Sequence, residues 1–304
     1  MPYEITNLQC ITHKVRFKKT DCKAVVSMLP GQLLGEEGFQ LSITLSDVHL
    51  PRMWVEKHPD KDSQASMLVF YPDFEVKTSY KTDEVILLLD MSESMKGESF
   101  SMAKKIAIQF VKALDFELRV NVICFGTDFN EAFLTAQPLC EVHQNTKKFI
   151  LFCPPSGGST ELWRPLRALS LLPPSRGVRN LLLLSDGHIQ NPELTLQLVR
   201  DNAQHSRFFT CGLSSTANRH MLRALAQAGG GAYEFFDTKT KHNWAEKVAC
   251  QVQRMGSPCC SSVSVKWQQF NPTAPPPVQA PKQLHALFND CHTLVYGFVP
   301  HCTQ

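Results

Sequence analysis

Three short stretches of this chain place oxygen-bearing side chains where a cation site needs them. Asp90-Met91-Ser92-Glu93-Ser94 spaces one carboxylate and two hydroxyls at alternate positions. A hard divalent cation such as magnesium takes oxygen ligands in an octahedron and usually keeps some of its waters. Ser156-Gly157-Gly158-Ser159-Thr160 is a glycine-rich loop entering a helix, and it could bring Thr160 to the same place. In Ser185-Asp186-Gly187, a second carboxylate follows four consecutive leucines, Leu181 to Leu184. Each residue also has a plain reading by itself. Asp90 could cap a helix, Ser92 and Ser94 could be turn residues, and Asp186 could be a turn aspartate before Gly187. The five together are read as a cation site, because all three motifs fall on one rim.

That rim exists only if the motifs stand at the carboxyl ends of neighbouring strands. The residues between 83 and 256 alternate strand and helix. Strands are predicted at 85–89, 118–125, 180–185, 208–213 and 232–236, with a short edge strand at 131–134. The first, third and fourth are nearly all apolar, as strands covered on both faces must be. Over 99–114, Phe100, Ala103, Ile106, Ala107, Phe110, Val111 and Leu114 recur at helical spacing. Asn191-Pro192 reads as an N-cap with proline in the first turn, and Gly229-Gly230-Gly231 as the stop of the helix carrying Met221, Leu222 and Leu225. This is an α/β pattern, a mostly parallel doubly wound sheet wrapped by helices. In such sheets ligands sit at the carboxyl ends of strands, where strand order reverses.

The flanks have another texture. Residues 1–82 and 257–304 read as β-rich, with alternation at Phe39 to Leu45 and at Ser262 to Trp267, and apolar runs at Met67 to Tyr71 and Thr293 to Phe298. The two flanks are expected to pair into one β module, with the α/β domain inserted between them. A proline-rich loop runs from Pro272 to Pro281. The abrupt end at Gln304 reads as that of a fragment or truncated product.

Net charge is +3, from 31 basic and 28 acidic residues, which gives no broad nucleic-acid footprint. The basic run from His13 to Lys19 alternates with apolar residues, as the wet face of a strand does. No apolar run approaches the roughly 20 residues of a membrane span, and the amino terminus lacks a secretory pattern. Eleven cysteines, irregularly spaced and several inside apolar segments, point to a reducing compartment, cytosolic or nuclear. Neither a disulfide framework nor a zinc site is expected.

The three-part motif resembles the metal-ion-dependent adhesion site of von Willebrand factor type A domains, and the resemblance covers residues 83–256. It implies that Ser92, Ser94 and Thr160 contact the ion, while Asp90 and Asp186 act directly or through waters. The ion would be magnesium, or calcium or manganese, with an open position for an acidic side chain of a protein partner. Glu161 stands where many members carry Asp, and leaves no ligand missing. Outside the domain, Leu50-Pro51-Arg52-Met53-Trp54-Val55-Glu56-Lys57-His58-Pro59, Ser214-Ser215-Thr216-Ala217-Asn218-Arg219-His220 and Ser264-Val265-Lys266-Trp267-Gln268-Gln269 are similar to vault-associated poly(ADP-ribose) polymerases. So are Leu294-Val295-Tyr296-Gly297-Phe298 and Pro300-His301-Cys302-Thr303-Gln304. That family also resembles inter-α-trypsin inhibitor heavy chains in its middle third. The likeness implies vault components as partners, a cytoplasmic place and a preceding inter-α-trypsin domain. It also implies an ADP-ribosyltransferase domain upstream, with no counterpart in these residues.

Other functions compete with this one. A strand-end aspartate can be a phosphorylated nucleophile, but that chemistry usually wants a second carboxylate two residues on, where this chain has Ser92. No G-x-x-x-x-G-K loop and no G-x-G-x-x-G after a strand is present. RNA binding through Lys104, Lys105, Lys112, Arg164, Arg167, Arg176 and Arg179 competes with solvated helix faces and loop ends, and direct nucleic-acid contact is not expected. A structural scaffold with a merely structural metal is the bland alternative. His188 and Trp163 lie near the rim, either as ligand contacts or as loop and packing residues.

Overall fold

A computed structural model of the chain describes all residues except 2, 34–37, 75–81, 175–176, 261–262, 269–272, 274, 285, 290 and 301–304. Arg176, Ser262, Gln269, Pro272 and the terminal 301–304 of the sequence reading therefore lie outside the described residues. Contacts divide the chain into two units. One comprises Met1–Asp73, Trp267–Ala280 and Asp290–Gln304; the other comprises Phe74–Lys266 and Pro281–Asn289.

The regular elements of the first unit's described residues are all strands. Its amino-terminal strands are β1 (Ile5–Cys10), β2 (Val15–Lys19), β3 (Ala24–Met28), β4 (Leu41–Leu45), β5 (Arg52–Lys57) and β6 (Gln64–Phe70). β1 pairs antiparallel with β4, and β2 with β3.

The second unit begins with β7 (Thr82–Asp90), α1 (Glu98–Ala113), β8 (Arg119–Phe125), β9 (Phe129–Glu131), β10 (Gln137–Pro138) and α2 (Leu139–Phe152). It continues through α3 (Trp163–Ser170), β11 (Val178–Ser185), α4 (Pro192–Asp201), β12 (Ser206–Leu213), α5 (Arg219–Ala228), β13 (Gly230–Phe236) and α6 (Trp244–Gly256). The sheet order is β10-β8-β7-β11-β12-β13, with β9 also on β8. All pairs from β8 through β13 are parallel, while β9 and β10 meet β8 antiparallel.

Val85 to Leu89 and Leu182 to Leu184 are almost wholly buried, as central strands between two helical layers must be. α1 turns Met102, Ala103, Ile106, Ala107, Phe110 and Val111 inward. From β7 the chain passes to β8 on one side and later crosses to β11 on the other. The carboxyl ends of β7 and β11 therefore flank a switch point, where helices depart in opposite directions and leave a crevice.

After α6 come β14 (Cys259–Cys260), β15 (Val278–Ala280), β16 (Leu287–Phe288) and β17 (Thr293–Val299). β14 and β16 pair with each other, and Phe288 packs beside Phe209 within the α/β unit. In the first unit, β17 pairs antiparallel with β6 over seven positions, in a sheet ordered β15-β17-β6-β5.

Several local expectations need correction. The alternation ending at Trp267 does not make a strand over the described residues 263–268. Trp267 instead lays its ring against Gly297 and donates its indole N–H to Gln279 Oε1 at 2.9 Å, so side-chain packing replaces a ladder. The edge strand expected at 131–134 lies earlier, at Phe129–Glu131. Asn191 precedes α4 in the left-handed conformation and makes no side-chain cap; its carbonyl accepts Thr195 N–H and Oγ1. The ten described cysteines are free thiols, and Cys124 and Cys211 are buried.

Candidate metal centre

Asp90 is the last residue of β7, and Ser92 and Ser94 follow in the turn that leads to α1. Parallel pairing sets Leu89 against Leu184, so the next residues, Asp90 and Ser185, are neighbours. Ser185 Oγ donates to Asp90 Oδ2 at 2.6 Å. Ser92 donates its backbone N–H to Asp90 Oδ1 at 3.0 Å and its hydroxyl to the same oxygen at 2.6 Å. Asp90 is fully buried. Burial pushes its carboxyl up to about 6, against the pull of these donors, and the nearby negative charge of Asp186 adds to the rise.

Thr160 arrives from a separate loop. Gly157 and Gly158 both have positive φ, and a side chain on Gly158 would collide with Thr127 Oγ1. The loop is tied to the β7 turn by Ser156 Oγ and Gly157 N–H, which donate to Met91 O at 3.0 and 3.1 Å, and by Glu93 N–H, which donates to Gly158 O at 3.0 Å. Thr160 Oγ1 then reaches Ser92 Oγ at 2.9 Å, and Ser92 Oγ lies 3.2 Å from Ser94 Oγ. Asp186, one residue past β11, is buried, and its Oδ1 accepts His188 N–H at 3.1 Å.

The structure thus brings Asp90, Ser92, Ser94 and Thr160 into one hydrogen-bonded chain, with Asp186 close enough to act on Asp90 by charge. Every donor atom is oxygen. Adjacent oxygens of an octahedron with bonds of 2.0–2.1 Å stand about 2.9 Å apart. The hydroxyl separations of 2.9 and 3.2 Å are of that size. Such an all-oxygen set is the donor chemistry of a hard cation and not of a thiolate or imidazole site.

The neighbours take distinct places. Glu161 is engaged at both oxygens, accepting Ser159 Oγ at 3.0 Å and the Trp163 indole N–H. Trp163 is half-buried and carries the Arg164 guanidinium 5.3 Å from its ring centre. His188 is exposed, and its backbone is the part that contacts Asp186. Ser185 is the residue the sequence reading missed. Its signal was a hydroxyl ending a leucine strand, one position before the aspartate.

Residues 83–235 match the family model for the von Willebrand factor type A domain. The chain belongs to that family. Among its von Willebrand A relatives, a Dictyostelium discoideum domain-containing protein is 28% identical over 81% of this chain and 26% of its own length. The whole chain is 50% identical to the mouse "Protein mono-ADP-ribosyltransferase PARP4" and 49% to the human protein of that name. It spans 16% and 18% of their lengths. A solved von Willebrand A structure from Catenulispora acidiphila superposes with a TM-score of 0.53 at 12% identity, covering 85% of this chain and 67% of that one, a likeness of fold.

Proposed function

We propose that this von Willebrand A domain is a metal-dependent protein-interaction module that takes an acidic side chain of its partner. Asp90, Ser92, Ser94, Thr160 and Asp186 would hold the ion, magnesium or by the same oxygen chemistry calcium or manganese. The observation that carries this reading is the meeting of three hydroxyls and a buried carboxylate, from two separate loops, at the switch point of the sheet. When bound, the cation supplies positive charge and a coordination position for a carboxylate oxygen. The chain's own residues do the rest. Ser185 and Ser92 fix the orientation of Asp90, the Met91 carbonyl anchors the 156–160 loop, and Asp186 adds negative charge from the next strand.

The relatives are named for ADP-ribosyl transfer, and that activity is theirs. For these residues we propose binding without transfer, with vault components among the partners and a cytoplasmic place, as the family likeness implies.

The test has two parts. Calorimetric titration of wild type with magnesium chloride should give saturable binding that Thr160→Val weakens strongly. A pull-down should retain partners in magnesium and lose them in chelator. Equal ion affinity in wild type and Thr160→Val, or retention unaffected by chelator, would sink the reading.

A further inference from the structure

α5 starts at Arg219, immediately after Asn218, whose N–H donates to Asp186 O at 2.7 Å. The first turns of α5 therefore stand beside the candidate metal centre on the same rim. Arg219 and Arg223 are four residues apart on this helix, so they share one face. Both guanidinium groups lie over aromatic rings of the edge strand β13. Arg219 is 4.7 Å from the Phe235 ring centre, and Arg223 is 5.2 Å from that of Tyr233 and 5.6 Å from that of Phe235. Both arginines are exposed, and both rings are half-buried. Neither arginine is in an ion pair among the described residues, and Glu234, which alternates to the other face of β13, pairs with Arg254 at 2.9 Å.

Stacking on aromatic faces orders a guanidinium while leaving its N–H edge free. Two ordered, unneutralised forks side by side match carboxylates better than a mobile lysine pair would. Rigid aromatic and arginine side chains are also the types that dominate protein-binding surfaces.

We propose that Arg219 and Arg223, braced by Tyr233 and Phe235, form a second anchor for an acidic protein segment whose first carboxylate goes to the metal centre. The inference rests on the metal-dependent reading above and names the partner's chemistry: at least two acidic residues in one extended segment. β13 lies two strands from β11, about 10 Å at the ordinary strand spacing, which three extended residues span, so the two carboxylates sit a few residues apart.

The probe is a fluorescent deca-glutamate peptide, followed by anisotropy with the full chain in magnesium and in chelator. Wild type should bind in magnesium. Arg219→Gln/Arg223→Gln should weaken binding by at least about tenfold, while its magnesium affinity, read from melting against added magnesium chloride, stays that of wild type. Arg219→Lys/Arg223→Lys keeps the charge, folds as a control and should recover only part of the binding. Binding that depends on the arginines but ignores chelator would remove the metal from the reading and leave the arginine anchor standing. The anchor is overturned if the glutamine variant binds like wild type, if wild type does not bind the peptide, or if a deca-uridylate RNA binds more tightly.

Discussion

At the scale of single residues, the site sets two negative charges against burial. Asp90 is raised to about 6 from an ordinary 3.8, chiefly by desolvation. A carboxyl whose folded value lies above its unfolded one favours the folded state fully below about pH 4, and that contribution is lost as pH rises through about 6. That displacement corresponds to about 3 kcal/mol. In chelator, the stability difference between wild type and Asp90→Asn should change by that order between pH 4 and pH 7, measured by urea unfolding. A difference flat with pH would mean that the hydrogen bonds from Ser92 and Ser185 offset burial completely. Asp186→Asn should act oppositely in two buffers. Its side-chain oxygen can still accept His188 N–H, and one charge beside Asp90 is gone. In chelator the variant should melt at or above the wild-type temperature. In magnesium the wild type should gain stability, about 2.7 kcal/mol at one hundred times its dissociation constant, and the variant much less. Destabilisation of the chelated variant by several degrees would make Asp186 a residue that holds the fold.

At the scale of elements, the edge strand β13 depends on a close approach that its sequence barely advertises. A side-chain carbon on Gly231 would stand 2.1 Å from Phe208 O and 2.6 Å from its carbonyl carbon, both backbone atoms of β12 that cannot step aside. Gly230 has φ +62 and open space around it. Gly231→Ala should therefore cost about 3 kcal/mol or more through forced separation of the strands, and Gly230→Ala only about 1–2 kcal/mol of backbone strain. Denaturant unfolding of the two variants checks the order. Equal losses would mean that β12 and β13 part without penalty. The same strand carries Tyr233 and Phe235, so Gly231→Ala should also disturb the arginine platform.

At the scale of the whole molecule, the sheet of the first unit is closed by strands distant in sequence. β17 is paired along all seven of its residues with β6, and its Val295 is fully buried. A chain ending at residue 289 should lose hydrogen-exchange protection over Gln64–Phe70, since β6 would keep only β5 as a partner. The amides of β7 and β11 should stay protected, because their ladders are complete within the second unit. Loss of protection in both places would show that the α/β sheet leans on the carboxyl-terminal strand.

The sequence by itself determined the central strands and α1, and it put oxygen-bearing side chains at the carboxyl ends of two of those strands. Apolar runs such as Leu181 to Leu184 have only one use in a chain with this strand–helix alternation, and an oxygen donor at the end of such a run has only one rim to occupy. Local patterns served less well where side chains found partners far along the chain. Trp267 lies in an alternating segment, yet its ring settled on Gly297 and its indole on Gln279. Asn191 looked like a side-chain cap and became a left-handed residue. Ser185 reached Asp90 only because parallel register set their strands side by side, and Arg219 and Arg223 gained their meaning from rings on another element. These are choices among contacts that local spacing leaves equal, and long-range packing decides them.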